Sequence, residues 1–131
     1  FSSSDKKLLN QTTLLTNSLR KEMNNQNLNV YIKSVIDISF LTNKYVNDEE
    51  PWKLKKTDID KMNNILYICL EQIAKISILL NPIIPIATTK VLNSLNLKDK
   101  FKNLSFLDGK SIFKDEIKIN DLDILFKKII T

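Results

Sequence analysis

Trp52, the only tryptophan in this chain, is the residue best suited to ligand recognition. It directly follows Pro51, whose ring fixes its own φ and disfavours helical backbone at the preceding residue. Glu50-Pro51 therefore predicts a break between two helices, with Trp52 at the corner. An aromatic ring among cations can take up an unstacked RNA base, because the ring stacks on the base while the charges attract phosphates. The flanking cations are Lys44, Lys53, Lys55 and Lys56.

Two observations on the same segment favour a structural role instead. A single tryptophan between helices is more often a core residue than a ligand platform. The local charge is also balanced, because the lysines from Lys44 to Lys61 are matched by Asp48, Glu49, Glu50, Asp58 and Asp60. From the residues alone, a core tryptophan and an RNA-stacking tryptophan both stay open.

Residue types that carry out catalysis are scarce. The chain has no His and one Cys, Cys69, so the clustered ligands of a zinc site are absent from its sequence. A single glycine, Gly109, leaves no phosphate-binding glycine loop and no nucleophile elbow. The acidic run Asp48-Glu49-Glu50 is a paired-carboxylate candidate, but such runs are usually solvated. We predict no catalytic residue and no metal site in this chain.

The elements that must position Trp52 are helices, because apolar residues recur at helical spacing and glycine is almost absent. The first helix is predicted to be capped by Ser4 or Asp5 and to fray near Asn24. The second is predicted over Leu28–Val46. The third runs from Ile59, with Thr57 or Asp58 as N-cap, until Asn81-Pro82 ends it, and the fourth opens at Pro85 and extends to about Leu95.

Each predicted helix has an apolar face. The expected core residues are Leu8, Leu15, Leu19 and Met23 on the first helix, and Leu28, Tyr31, Ile32, Val35, Ile38, Leu41 and Tyr45 on the second. On the third helix a seam at alternating steps of three and four is expected to face the core. The seam consists of Ile59, Met62, Leu66, Cys69, Ile73, Ile76 and Leu80.

Beyond Asn96 the helical spacing degrades, which predicts a loop that packs its own apolar side chains onto the bundle. These are Phe101, Leu104, Phe106, Leu107, Ile112 and Phe113. A short helix over Asp121–Ile130 is predicted to close the chain. The fold class is therefore all-α, an antiparallel helical bundle of four to five helices.

Length and charge fit one domain that spans residues 1–131. Twenty Lys and Arg against fifteen Asp and Glu give a net charge of +5, which favours a polyanionic partner but also fits a compositional bias toward lysine. The longest apolar run, residues 76–86, is interrupted by Asn81, Pro82 and Pro85, so we predict no membrane partner. We expect a cytoplasmic protein. The chain begins at Phe1 within a polar stretch and without an initial Met, which predicts that it is a part of a longer protein.

The order of these pieces resembles the C-terminal anticodon-binding domain of methionyl-tRNA synthetases. In that family a helix ends in Asn-Lys/Arg-Tyr-Ile/Val, and Pro-Trp-x-Leu-x-Lys follows four residues later. The matching residues here are Asn43-Lys44-Tyr45-Val46, then Pro51, Trp52, Leu54 and Lys56. The turn Asn81-Pro82-Ile83-Ile84-Pro85 resembles the family's next turn, with Ile84 in place of the usual Met. The stretch Phe101–Leu104, the Gly109 loop and Leu125-Phe126 resemble its closing segment.

The resemblance implies that Trp52 stacks on an anticodon base and that Lys56 contacts a phosphate or is a surface charge. Asn43 is implied to lie in the anticodon-binding site, where we expect it to satisfy backbone groups at the helix end. Tyr45 and Leu54 are expected to support the site by packing. The implied partners are methionine tRNA, through its anticodon loop, and an upstream catalytic domain of the same chain.

The parent enzyme implied by the resemblance ligates methionine to its tRNA with ATP and magnesium. Its catalytic Rossmann domain, with a zinc-bearing insertion, would lie upstream of Phe1, as would a helix that carries another part of the anticodon site. This chain departs from the family at Phe126-Lys127-Lys128, where Phe-Pro-Arg is usual. Two alternatives stay open: the anticodon-binding domain of another class I synthetase, and a non-catalytic helical domain that docks onto a protein through Trp52.

Overall fold

The computed structural model of the chain describes residues 1–97, 107, 112–113 and 118–126. The described residues form helices and no strand. The helices are α1 (Ser3–Asn24), α2 (Leu28–Glu49), α3 (Pro51–Leu54), α4 (Ile59–Leu80) and α5 (Pro85–Ser94). The predicted all-α bundle is thereby confirmed.

Three long helices, each of 22 residues, build the bundle. α1 and α2 pack against each other across a three-residue connection, so they run antiparallel, and α2 packs in turn against α4. α5 and the short α3 both lie against α4. α4 is thus the central helix, and by length and composition it could also cross a membrane, although half of its most apolar window is buried in the bundle.

The helix ends follow local capping chemistry. Ser2, rather than Ser4 or Asp5, caps α1: its hydroxyl accepts from the Asp5 backbone N–H while the Asp5 carboxylate accepts from Ser2 N–H. Asp58 caps α4 as predicted, accepting from Lys61 N–H at 2.9 Å. α2 runs three residues further than predicted, to Glu49.

The predicted faces of α1 and α2 are confirmed in part. Leu8, Leu19, Tyr31, Val35, Ile38 and Tyr45 are buried, whereas Leu28 and Leu41 are largely exposed. On α1 the buried line is completed by Thr12 and Thr16, whose hydroxyls donate to the carbonyl groups of Leu8 and Thr12 one turn earlier. A threonine that satisfies its hydroxyl in this way can replace a leucine in the core.

The predicted seam of α4 is confirmed in part. Cys69, Ile76 and Leu80 are partly buried against the core clusters. Ile59, Leu66 and Ile73 are instead 58%, 44% and 40% exposed. The buried residues of α4 are Ile65, Ile68, Glu71, Gln72, Ala74, Lys75, Ser77, Ile78 and Leu79. This set was missed because four of these residues are polar, and apolar spacing alone places such residues outside.

The closing segment also differs from the prediction. Residues 121–126 are not helical, and positions 127–130 of the predicted helix lie outside the described residues. Asn120 N–H donates to the carbonyl of Ser94 at 2.8 Å, and Asn96 donates to the carbonyl of Lys118, so residues 118–120 are tied to the end of α5. Of the loop residues predicted to pack on the bundle, Leu107, Ile112 and Phe113 are buried, as expected. Phe101, Leu104 and Phe106 lie outside the described residues.

Candidate nucleic-acid interface

The corner between α2 and α3 is built at Glu50. Its backbone is left-handed (φ 44°, ψ 57°), and its N–H closes the last turn of α2 on the carbonyl of Val46 at 3.0 Å. The next residue, Pro51, occupies the first turn of α3. A backbone N–H at that position would have no acceptor within the helix, so proline loses no hydrogen bond there. The helix break predicted from Glu50-Pro51 is therefore confirmed.

Trp52 is displayed by this corner rather than buried in it. Pro51 is buried and Leu54 packs against a core cluster that includes Tyr45 and Ile68, which fixes α3 on the bundle. The Trp52 side chain points away from these anchors and is 57% exposed. The interpretation of Trp52 as a core residue is thus wrong.

The lysines around Trp52 fall into two groups. Lys44, Lys53 and Lys61 are paired, at 2.8 Å to Asp48, 2.8 Å to Glu50 and 3.2 Å to Glu49 respectively. Lys55 and Lys56 are exposed and form no ion pair with any described residue. Lys55 keeps right-handed helical backbone (φ −52°, ψ −32°) just after α3. The unpaired cations thus follow Trp52 by three and four residues in the chain.

Asn43 is exposed on α2, two turns before the end of the helix. Because α2 continues to Glu49, no backbone group near Asn43 lacks a helical partner, and its side chain makes no hydrogen bond within the described part of the chain. The expectation that Asn43 satisfies the helix end is wrong. Its amide is instead available at the surface. Within the same residues, no hydrogen bond, ion pair or ring contact joins Trp52, Asn43 and Lys56.

Tyr45 supports the corner by packing in the core cluster that also holds Leu54, as expected. Its buried hydroxyl donates to Asp5 Oδ1 at 2.6 Å, which joins the end of α2 to the start of α1. Burial raises the pKa of Tyr45, and the hydrogen bond to Asp5 raises that pKa further. Burial opposes ionisation of Asp5, but the hydrogen bonds from Tyr45 and Ser2 outweigh it and lower the pKa of Asp5. In this pair the neutral hydroxyl of Tyr45 thus donates its hydrogen bond to the charged carboxylate of Asp5.

Lys55 was named among the cations that flank Trp52 but was not predicted as a site residue. Asp58 and Asp60, three and four positions after Lys55 and Lys56, suggested neutralised lysines. In the structure Asp58 is engaged as the N-cap of α4. Asp58 was a predicted N-cap candidate for α4. Its engagement as a cap was therefore the signal that could have identified the unpaired lysines. No group of three or more His, Cys, Asp or Glu gathers within the described residues.

The described residues thus form a helical bundle with an exposed tryptophan at a helix corner and two exposed lysines that make no ion pair within that part of the chain. The family model for the anticodon binding domain of methionyl tRNA ligase matches residues 1–131. The chain belongs to this family. This match excludes the alternative that the chain is the anticodon-binding domain of another class I synthetase.

Relatives of the chain are also methionine–tRNA ligases. The chain is 33% identical over 95 residues to a methionine–tRNA ligase of Brucella suis, a match that covers 72% of this chain and 18% of the relative. With the ligase of Sulfurisphaera tokodaii it shares 36% identity over 87 residues, 66% of this chain and 15% of the relative. The chain therefore spans about a fifth of the curated relatives it matches.

The fold has a solved counterpart in Mycobacterium tuberculosis. The structure of its methionyl-tRNA synthetase in complex with methionyl-adenylate superposes with a TM-score of 0.88 at 20% identity, covering 98% of this chain and 26% of that one. At this identity the likeness shows the fold alone.

Proposed function

We propose that residues 1–131 act as one domain that binds the anticodon loop of methionine tRNA, with Trp52 stacked on an anticodon base. The observation that carries the proposal is the 57% exposure of Trp52 at a corner whose neighbouring residues are anchored in the core. Lys55 and Lys56 supply charge for the phosphates, and Asn43 offers an amide that can hydrogen-bond a base edge.

The parent protein in this proposal is a cytoplasmic methionine–tRNA ligase. Methionine, ATP and magnesium would bind in an upstream catalytic domain, which would also hold any structural zinc. This division of labour fits a chain that matches a fifth of its relatives and whose sequence has no His and one Cys. The isolated 131 residues should therefore support no methionine-dependent pyrophosphate exchange.

The proposal is tested by Trp52→Ala in the full-length parent. Stacking of one base on an aromatic ring contributes about 1–3 kcal/mol, so affinity for methionine tRNA should fall about tenfold to hundredfold. Trp52→Phe should recover part of the loss because a smaller ring still stacks. Methionine activation should be unchanged in both variants.

Leu14→Ala is the matched control, since Leu14 is a 70% exposed apolar residue on α1. It should leave tRNA affinity unaltered. Melting temperature should barely move for any of the three variants, because a buried tryptophan, and not an exposed one, costs about 3–5 kcal/mol when truncated. Unchanged tRNA affinity of a folded Trp52→Ala protein would rule out the stacking role and favour a protein-docking role for Trp52.

A further inference from the structure

Phe40 is an exposed aromatic residue on the solvent side of α2. Its side chain is 67% exposed, more than that of Trp52, and it belongs to neither cluster of core residues. The buried residues of the same helix, among them Val35, Ile38 and Thr42, recur on the opposite side. The ring of Phe40 is therefore available to a ligand rather than required by the core.

The residues that share this side of α2 with Phe40 are uncharged. Ile36, Asn43 and Asn47 lie four residues before and three and seven residues after Phe40, at positions that fall on one face of a helix, and all three are exposed. We call these four residues the outer stripe of α2. Within the described part of the chain, no side-chain hydrogen bond, ion pair or ring contact engages Phe40, Asn43 or Asn47.

The charged residues that border the outer stripe are already paired. Lys33 contacts Asp37 and Lys44 contacts Asp48, both at 2.8 Å. Helical spacing places each lysine nearer to Phe40 than its carboxylate, and Asp48 lines the cleft between α2 and α1. No uncompensated carboxylate beside the ring would therefore repel a phosphate.

The composition of the stripe suits a nucleobase better than an apolar protein surface. An aromatic ring can stack on an unpaired base, and the neighbouring amides can donate to and accept from base edges. The core of a protein interface is more strongly apolar, whereas half of this stripe consists of the amides of Asn43 and Asn47.

The outer stripe leads to the Trp52 corner without a break. α2 continues from Phe40 to Glu49, so Phe40 lies about 14 Å along the helix axis from the end that carries the corner. Asn43 and Asn47 occupy the surface between. Because stacked nucleotides are about 3.4 Å apart along a strand, about four of them span this distance. A single-stranded loop that covers Trp52 can thus also reach Phe40.

We propose that the ring of Phe40 stacks on a second unpaired base of the same tRNA, within about four nucleotides of the base on Trp52. The inference rests on the proposed function, in which Trp52 receives an anticodon base. Asn43 and Asn47 offer their amides to the bases between the two rings. Phe40 adds affinity rather than base preference, because every base has a face that can stack.

The test is tRNA binding by variants of the full-length parent. Phe40→Ala should lower the affinity for methionine tRNA about tenfold. Phe40→Leu should lose as much, because it keeps an apolar side chain but removes the ring, whereas Phe40→Tyr should bind nearly as well as wild type. The melting temperature of each variant should match wild type, since the side chain at position 40 is exposed.

Ile86→Ala is the matched control. Ile86 is a 78% exposed apolar residue at the start of α5. The hydrogen bond from the Tyr31 hydroxyl to the carbonyl of Leu79 places the end of α4, and with it the start of α5, at the end of the bundle where α2 begins. That end is remote from the Trp52 corner, so Ile86→Ala should leave tRNA affinity unchanged.

A crosslink locates the contact. The photo-crosslinking residue benzoylphenylalanine at position 40 of the full-length parent should attach to the anticodon loop of bound tRNA, and reverse transcription identifies the nucleotide. Normal tRNA affinity of Phe40→Ala, full affinity of Phe40→Leu, or a crosslink to a second protein copy or to another arm of the tRNA would overturn the inference.

The outcomes separate this inference from the proposed function. If Trp52→Ala weakens tRNA binding while Phe40→Ala does not, the second stacked base is refuted and the anticodon proposal stands. If neither variant weakens binding, the anticodon proposal fails and this inference fails with it.

Discussion

At the scale of single residues, Asp5 shows how one side chain can hold two helix ends. Its Oδ2 accepts from Ser2 N–H at 2.6 Å, which caps α1, while its Oδ1 accepts from the Tyr45 hydroxyl at 2.6 Å, which anchors α2. Both residues are buried. Tyr45 lies on the last turns of α2, which ends at Glu49 just before the Trp52 corner, so this contact fixes the helix that presents the site.

Tyr45→Phe should destabilise the 131-residue chain by about 1.5–3 kcal/mol near pH 6, the range for a hydrogen bond to a charged group. The pKa of Asp5 is lower in the folded state than its unfolded value of about 3.9. Its contribution is therefore present above that value and lost as the pH falls through the folded pKa. Urea unfolding at several pH values should show the gap between wild type and variant narrowing on acidification. A gap that does not change with pH would contradict this role of Asp5.

At the scale of elements, the ends of the helices were easier to predict than the side of each helix that is buried. Pro51, Asp58, Asn81-Pro82 and Pro85 determine ends by local chemistry, and the observed ends of α4 and α5 agree with them to within a residue. The inner face of α4 could not be read from the same spacing, because Gln72 and Glu71 bond to partners far along the chain, Thr12 and residues 112–113. The exposure of Trp52 was equally hidden, since it depends on Pro51 and Leu54 being the residues that face the core.

Glu71 is the clearest of these polar residues. Its carboxylate accepts from the backbone N–H groups of Ile112 and Phe113, at 3.1 and 2.9 Å, and from the Tyr67 hydroxyl at 3.0 Å. It also lies 3.8 Å from Lys75 Nζ. Burial lowers the pKa of Lys75, and the neighbouring Glu71 opposes that shift. Glu71 thus attaches residues 112–113 to the middle of α4.

Glu71→Ala should destabilise the 131-residue chain by about 3–5 kcal/mol, because it leaves a buried cation and two backbone donors without their acceptor. Lys75→Met should cost far less, about 1 kcal/mol or below, since the carboxylate keeps its other donors. Chemical denaturation of the two variants measures this asymmetry. The double variant, Glu71→Leu with Lys75→Met, is the control: it should be more stable than Glu71→Ala. Equal losses for the two single variants would show that the ion pair, and not the backbone contacts, dominates.

At the scale of the whole molecule, the excess positive charge is less informative than its distribution. The net charge of +5 fits many polyanions, and the lysines near Trp52 are matched by carboxylates in number. Pairing removes Lys44, Lys53 and Lys61 from that balance and leaves Lys55 and Lys56, three and four residues after Trp52 in the chain. Association with RNA should therefore depend on two specific cations rather than on total charge.

Salt dependence of tRNA binding by the full-length parent tests this distribution. Each phosphate contact to single-stranded RNA contributes about 0.7 to the slope of log affinity against log salt, because a counterion is released. The double variant Lys55→Gln and Lys56→Gln should therefore reduce the magnitude of the slope by about 1.4. Lys44→Gln is the matched control, and it should change the slope little because Asp48 already neutralises that lysine. If Lys44→Gln reduces the slope as much as the double variant does, the unpaired lysines have no special place in the site and total charge governs binding.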